Sequence, residues 1–179
     1  DWVDVVTLYY VESQDEWNEI IGPNGAMEYL DEAKEQGLIR MIGVTSHQRS
    51  LAASWLESGH LDMLMIRYNA AHRGAEEEVF PVTSRLKAPV VAFTCLRWGA
   101  LLRPTPEDPP GFVVPTAGEC YRFVLQNPAV SVALTAPNGR AELEENLSVL
   151  DPLEPLTPER YDELVAHGER VRRHAGSFP

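Results

Sequence analysis

The sequence predicts a parallel α/β fold, because short apolar segments alternate with amphipathic helical segments along the chain. Residues 1–10 (DWVDVVTLYY) are rich in β-branched and aromatic side chains. Such a run is typical of a strand that is covered on both faces. Residues 26–36 place Met27, Leu30 and Ala33 on one face of a helix, and the strand–helix alternation then repeats to the end of the chain.

The strand pattern and the helix pattern described above also predict the remaining elements. Further strands are expected over residues 39–44, 61–68, 89–93 and 130–134. Further helices are expected over residues 51–56, 75–86, 118–126, 141–150 and 158–174.

Two architectures fit five parallel strands. A closed (β/α)₈ barrel takes about 250 residues, so a chain of 179 residues would hold only part of one. We expect about five C-terminal βα units of a partial (β/α)₈ barrel, with the N-terminal strands missing. An open, doubly wound sheet is the alternative, but it would normally carry a glycine-rich phosphate loop after its first strand, and the sequence has none there.

The length predicts a single domain over residues 1–179, with residues 155–179 as a C-terminal helical extension. The chain begins at Asp1, without a methionine and inside a predicted strand. We interpret this as a truncated sequence or an excised piece of a longer protein. Residues 104–115 form a long proline-rich segment, and in a barrel such loops lie at the ligand-binding face.

The charge, the apolar runs and the cysteines of the chain limit the partners and sites that it can have. A net charge of −12 argues against nucleic acid and anionic membranes as partners. The sequence holds neither an apolar run of about 18 residues nor a signal peptide. Cys95 and Cys120 have neither metal-ligand spacing nor the pattern of a disulfide framework. We therefore expect a cytoplasmic protein and no metal site.

Four segments, in this order and with helix-sized gaps between them, match the barrel strands and last helix of one family. They are residues 1–8 (DWVDVVTL), 37–46 (GLIRMIGVTS), 64–69 (LMIRYN) and 142–147 (ELEENL). Over roughly residues 1–150, the set resembles the aldo-keto reductase family. The resemblance implies an oxidoreductase that transfers a hydride between NADP(H) and a carbonyl or alcohol substrate in the complete protein.

The resemblance also places one catalytic position. Tyr9 stands where the family has a catalytic histidine, at the end of a strand. It would either donate a hydrogen bond to a substrate carbonyl or merely pack at the strand end. The family's catalytic tyrosine, lysine and aspartate precede Asp1, so we expect this chain alone to be inactive.

The resemblance implies a set of residues that bind the nicotinamide half of the cofactor. Thr45 and Ser46 match the pair that binds the nicotinamide carboxamide, although they equally suit a helix N-cap. Phe93 matches the aromatic residue that stacks on the nicotinamide ring. The residues that match the segment along the pyrophosphate are Thr94, Leu96 and Arg97.

At the adenosine end, Glu145 and Asn146 match the adenine contacts, and Arg140 is the candidate for the 2′-phosphate. Ala136 and Glu142 replace the family's usual basic residues there. NADP is therefore the expected cofactor, with NAD as the alternative.

The sequence also fits a second function. The chain could be a non-catalytic, barrel-derived module that binds a nucleotide or another protein. Tyr9 in place of histidine, and Met65 where many members have glutamine, favour that alternative. The expected partners are a small carbonyl substrate and, through the open sheet edges, either the missing N-terminal half or a second copy of the chain.

Overall fold

A computed structural model describes residues 1–150, 154–174 and 176. In these residues the strands form one five-stranded sheet whose spatial order follows the sequence order. The chain divides into two compact units, which are described separately below. The first comprises Asp1–Ile66 and Gly74–Val91, and the second comprises Arg67–Arg73 and Ala92–Pro179.

The observed elements confirm the predicted alternation of strands and helices. The strands are β1 (Val3–Leu8), β2 (Ile39–Ser46), β3 (Met63–Arg67), β4 (Val90–Phe93) and β5 (Val130–Ala133). The helices are α1 (Gln14–Ile21), α2 (Ala26–Glu35), α3 (Arg49–Glu57), α4 (Ala75–Glu78), α5 (Phe80–Leu86), α6 (Ala117–Leu125), α7 (Arg140–Leu147) and α8 (Pro158–His174).

The first unit contains a helix that hydrophobic patterning did not predict, α1. Its start is fixed by a capping box, in which Ser13 Oγ accepts from the backbone N–H of Glu16 and the Glu16 carboxylate accepts from that of Ser13. The helix buries one large side chain, Trp17, which stacks on Trp55 of α3 at a ring distance of 5.2 Å. This stacking contact and a hydrogen bond from Trp55 Nε1 to Gln14 Oε1 at 2.9 Å attach the mostly polar helix to α3.

Parallel pairing in the first unit brings the ends of β1 and β2 together. The register runs from Val3 opposite Ile39 to Leu8 opposite Val44. Beyond the strand, the backbone N–H of Val11 donates to the carbonyl of Thr45 at 3.1 Å. The segment after β1 is therefore attached to the carboxyl end of β2.

The predicted helix over residues 75–86 is in fact two short helices. Val79 lies between them, with φ of −118°, and Pro81 follows within the first turn of α5. Because proline lacks a backbone N–H, it begins helices more readily than it continues them.

The core of the second unit includes an aromatic cluster. Tyr68 lies 6.0 Å from Phe123 of α6, and Phe123 stacks on Tyr161 of α8 at 4.8 Å. Close to this cluster in sequence, Gly168 brings the α8 backbone against residues 70 and 71. A Cβ on Gly168 would lie 2.1 Å from the Ala70 carbonyl oxygen, so no larger residue fits without moving the helix.

The part of the chain that the structure describes has no helix with the length and apolar character needed to cross a membrane.

Candidate functional site

In the first unit, Thr45 and Ser46 end strand β2, and the N-cap role that their sequence allowed is not realised, because Gln48 is the N-cap of α3. Ser46 Oγ accepts a hydrogen bond from the backbone N–H of Gln48 at 3.0 Å, in the turn before α3. Thr45 is 4% exposed, and its Oγ1 has no hydrogen-bond partner among the residues that the structure describes. A buried hydroxyl without a partner costs stability and is a candidate contact for a ligand.

Tyr9 follows β1 directly, and it is 81% exposed. Its ring lies 5.7 Å from that of Tyr10, which adopts a left-handed backbone conformation with φ of 61°. For a residue with a Cβ this conformation is uncommon and mildly strained. The chain thus turns sharply after β1 and leaves the Tyr9 hydroxyl accessible to a ligand.

A carboxylate–imidazole pair that the sequence reasoning missed lies beside these residues. Glu12 Oε1 accepts from the backbone N–H of His47 at 2.8 Å and lies 3.2 Å from His47 Nδ1. The Tyr10 ring meets the His47 ring edge-on at 5.1 Å. Such a pair can hold and transfer a proton. The available signal was positional, since Glu12 and His47 each follow closely after a strand.

In the second unit, the segment after β4 is tightly turned. Thr94, Arg97 and Trp98 all have positive φ, at 52°, 48° and 52°. The turn is held by backbone hydrogen bonds and by Asn69, whose Nδ2 donates to the Thr94 carbonyl at 2.8 Å. Left-handed residues of this kind persist where the surroundings fix them, and they cluster at ligand sites.

Two groups in this turn are suited to bind an anionic, polar ligand. Thr94 Oγ1 is buried and, within the described residues, accepts and donates no hydrogen bond. Arg97 is only 2% exposed, and its Nη2 donates to the carbonyl of Gly176 at 3.0 Å. Burial, together with the positive charge of Arg172, lowers the pKa of the Arg97 guanidinium. An anion nearby would offset both effects.

The neighbours of these groups are less polar. Phe93 is the last residue of β4 and is half-buried, as is Leu96. Burial raises the pKa of the Cys95 thiol to about 12, so it stays protonated and is a poor nucleophile.

The three residues assigned to the adenosine end lie on α7, and all three already have partners. Arg140, 89% exposed, pairs with Glu144 at 2.6 Å. Glu145 Oε1 accepts from the backbone N–H of Ala117, the first residue of α6, at 3.1 Å. Asn146 Nδ2 donates to Thr135 Oγ1 at 2.7 Å. The structure therefore places these side chains on one helix but engages each of them within the protein.

The family model described as the aldo/keto reductase family matches residues 2–112, which is more than half of the chain. The chain belongs to the aldo/keto reductase family. The match includes Tyr9, the Thr45–Ser46 pair and the segment from Phe93 to Arg97. It ends before Arg140, Glu145 and Asn146, whose roles rest on the resemblance alone.

Solved structures agree on the fold. The chain is similar to the aldo-keto reductase AKR11C1 from Bacillus halodurans in its holo form, with a TM-score of 0.74 and 19% identity over 93% of this chain and 59% of that chain. For the apo form the TM-score is 0.73, with 20% identity over 93% of this chain and 62% of that one. The chain thus spans about three-fifths of that enzyme's length, which confirms the prediction of a partial barrel. No curated protein matches the sequence.

Proposed function

We propose that the complete protein is an aldo-keto reductase-like oxidoreductase that transfers a hydride between NADP(H) and a carbonyl or alcohol substrate. The observation that supports this most is the family match over residues 2–112, because it contains the segments assigned to the nicotinamide and the pyrophosphate. When bound, the cofactor supplies the hydride.

This chain's own residues would bind and orient that cofactor. In the first unit, the unpaired hydroxyl of Thr45 would contact the nicotinamide carboxamide, and Ser46 would hold the turn beside it. In the second unit, Phe93 would stack on the ring. Thr94, Leu96 and Arg97 would follow the pyrophosphate, with the Thr94 hydroxyl and the Arg97 guanidinium as donors.

The adenosine end requires side chains to exchange partners. An exposed ion pair four residues apart on a helix contributes about 0.3–0.5 kcal/mol. Arg140 can therefore leave Glu144 for a 2′-phosphate at little cost. Glu145 is bound more firmly, because its contact with Ala117 supports the start of α6. We assign the 2′-phosphate to Arg140 and keep Glu145 and Asn146 as the adenine contacts that the family resemblance implies.

The non-catalytic module remains the competing function, and it differs from the enzyme in what happens after binding. Both would bind a nucleotide, whereas only the enzyme has a group that can act on a carbonyl. Exposed Tyr9 is the candidate for that group, as a neutral hydrogen-bond donor to the substrate oxygen. A carbonyl substrate and a second polypeptide at the open sheet edges are the partners we propose.

Fluorescence titration of the complete protein with NADPH and NADH tests the cofactor assignment. Arg140→Ala should weaken NADPH binding about tenfold or more, because a charge-assisted hydrogen bond contributes about 1.5–3 kcal/mol, and leave NADH binding nearly unchanged. Arg85→Ala, which removes another exposed arginine paired with a glutamate, is the matched control. Equal weakening of both cofactors would show that the 2′-phosphate assignment is wrong.

A further inference from the structure

Helix α8 contacts the long loop between β4 and α6 at several points. This loop, residues 94–116, is called the β4–α6 loop below. Near its start, Arg97 donates to the Gly176 carbonyl just beyond α8, and near its end Arg160 Nη1 donates to the Val113 carbonyl at 3.2 Å. In between, Glu107 pairs with Arg173 and His174 at the surface. The helix thus supports the loop along most of its length.

Asp108 is the centre of these contacts. Its carboxylate accepts from the backbone N–H of Thr105 at 2.5 Å and from Arg170 Nε at 2.6 Å, and Oδ1 lies 3.2 Å from His167 Nδ1. The side chain is only 10% exposed. Burial opposes ionisation, but these hydrogen bonds outweigh it and lower the pKa of Asp108 to about 2. Asp108 is therefore a carboxylate, and so an acceptor only, at any physiological pH.

His167 is fully buried and has an acceptor at each ring nitrogen. Nδ1 faces the Asp108 carboxylate, and Nε2 lies 3.0 Å from the Leu101 carbonyl oxygen. Both of these oxygens belong to the β4–α6 loop, so the imidazole connects α8 to the loop at two points.

The other groups around His167 keep this arrangement rigid. The centre of the Phe112 ring lies 4.9 Å from the centre of the imidazole and 5.0 Å from the guanidinium carbon of Arg170. Arg170 and the imidazole share Oδ1 of the Asp108 carboxylate. At the next residue, Gly168 lies against the backbone of Ala70, so α8 has no room to move closer to residues 70 and 71.

We propose that Asp108, His167 and Arg170 form a clamp that positions the β4–α6 loop against α8. These are positioning residues, since none of them is assigned to the cofactor. The loop begins with the Thr94–Arg97 segment. The clamp therefore also supports the pyrophosphate contacts, and this link rests on the proposed function.

The clamp can be tested in the complete protein without cofactor. Hydrogen–deuterium exchange reports the opening of the amides of Thr105, Asp108 and Phe112. Asp108→Asn removes the charge that Arg170 and the Thr105 amide contact, and it should speed exchange of these amides, corrected for intrinsic rate, about tenfold.

Glu107→Gln is the matched control, because Glu107 lies in the same loop and contacts α8 only through exposed pairs, which contribute little. It should leave loop exchange unchanged. Equal effects of Asp108→Asn and Glu107→Gln on loop exchange would overturn the clamp. His167→Gln gives a second test of the same exchange signal if the Asp108 variant does not fold.

A cofactor titration of the complete protein separates the clamp from the proposed function. Weaker NADPH binding by Asp108→Asn, with Glu107→Gln at wild-type affinity, supports the link between the loop and the cofactor. Faster loop exchange with unchanged affinity overturns that link alone. A wild-type protein that binds no cofactor overturns the proposed function, and loop exchange still decides on the clamp.

Discussion

At the scale of single residues, Thr45 and Thr94 show how far sequence reasoning reaches. Their positions at the carboxyl ends of strands could be predicted, because parallel strands and their order follow from local patterning. Their unpaired hydroxyls could not, since a hydrogen-bond partner depends on side chains from distant elements. The Glu12–His47 pair was missed for the same reason, because 35 residues separate its members.

A substitution of Thr45 tests whether its hydroxyl is reserved for a ligand. Thr45→Val removes a buried hydroxyl that has no hydrogen-bond partner among the described residues and keeps the shape of the side chain, so it should raise the free energy of unfolding by about 1 kcal/mol. Thr83→Val is the control, because Thr83 is equally buried but its Oγ1 donates to the Phe80 carbonyl at 3.2 Å. It should lower the free energy of unfolding by a similar amount. Urea denaturation of both variants provides the comparison, and destabilisation by Thr45→Val would contradict this interpretation.

At the scale of elements, the strands and most helices could be predicted because hydrophobic periodicity determines them. Helix α1 could not, since it buries one aromatic residue and depends on the capping box of Ser13 and Glu16. The division between α4 and α5 was also missed. Pro81 was visible in the sequence, but residues 75–86 were assigned to one helix.

Helix α8 offers a test at this scale through its one interior glycine. Gly168→Ala would raise intrinsic helix propensity by about 1 kcal/mol, yet the new methyl group would meet the Ala70 carbonyl oxygen at 2.1 Å. We expect net destabilisation of about 1–3 kcal/mol, the usual cost of overpacking. Thermal unfolding should show a lower Tm for Gly168→Ala. Glu169→Ala, at an exposed position on the same helix, should leave Tm nearly unchanged. A Tm at or above that of the wild type for Gly168→Ala would refute the close contact.

At the scale of the whole molecule, the outer strands of the sheet are the main consequence of a partial barrel. In the first unit, β1 is an outer strand, and together with the residue before it exposes Trp2, Val3 and Val5. In the second unit, β5 and the residue after it expose Val132 and Leu134. Unpaired parallel strands with apolar side chains recruit further strands.

The isolated 179-residue chain should therefore self-associate as its concentration rises. Val5→Lys places a charge on the β1 edge and should shift association to higher concentration, whereas Val113→Lys, in the exposed β4–α6 loop, should not. Sedimentation velocity across a concentration series gives the result. A chain that stays monomeric throughout would count against the open edges.

Single-turnover hydride transfer by the complete protein tests the central claim most directly. Reduced cofactor is mixed with the protein and a small aromatic aldehyde, and the loss of nicotinamide fluorescence is followed together with alcohol formation. We expect one alcohol per cofactor oxidised, and a slower rate in Tyr9→Phe, which keeps the ring but removes the hydroxyl donor. Tyr29→Phe, another exposed tyrosine of the first unit, should react at the wild-type rate. Cofactor binding without any oxidation of the bound nicotinamide would contradict the account and favour the non-catalytic module.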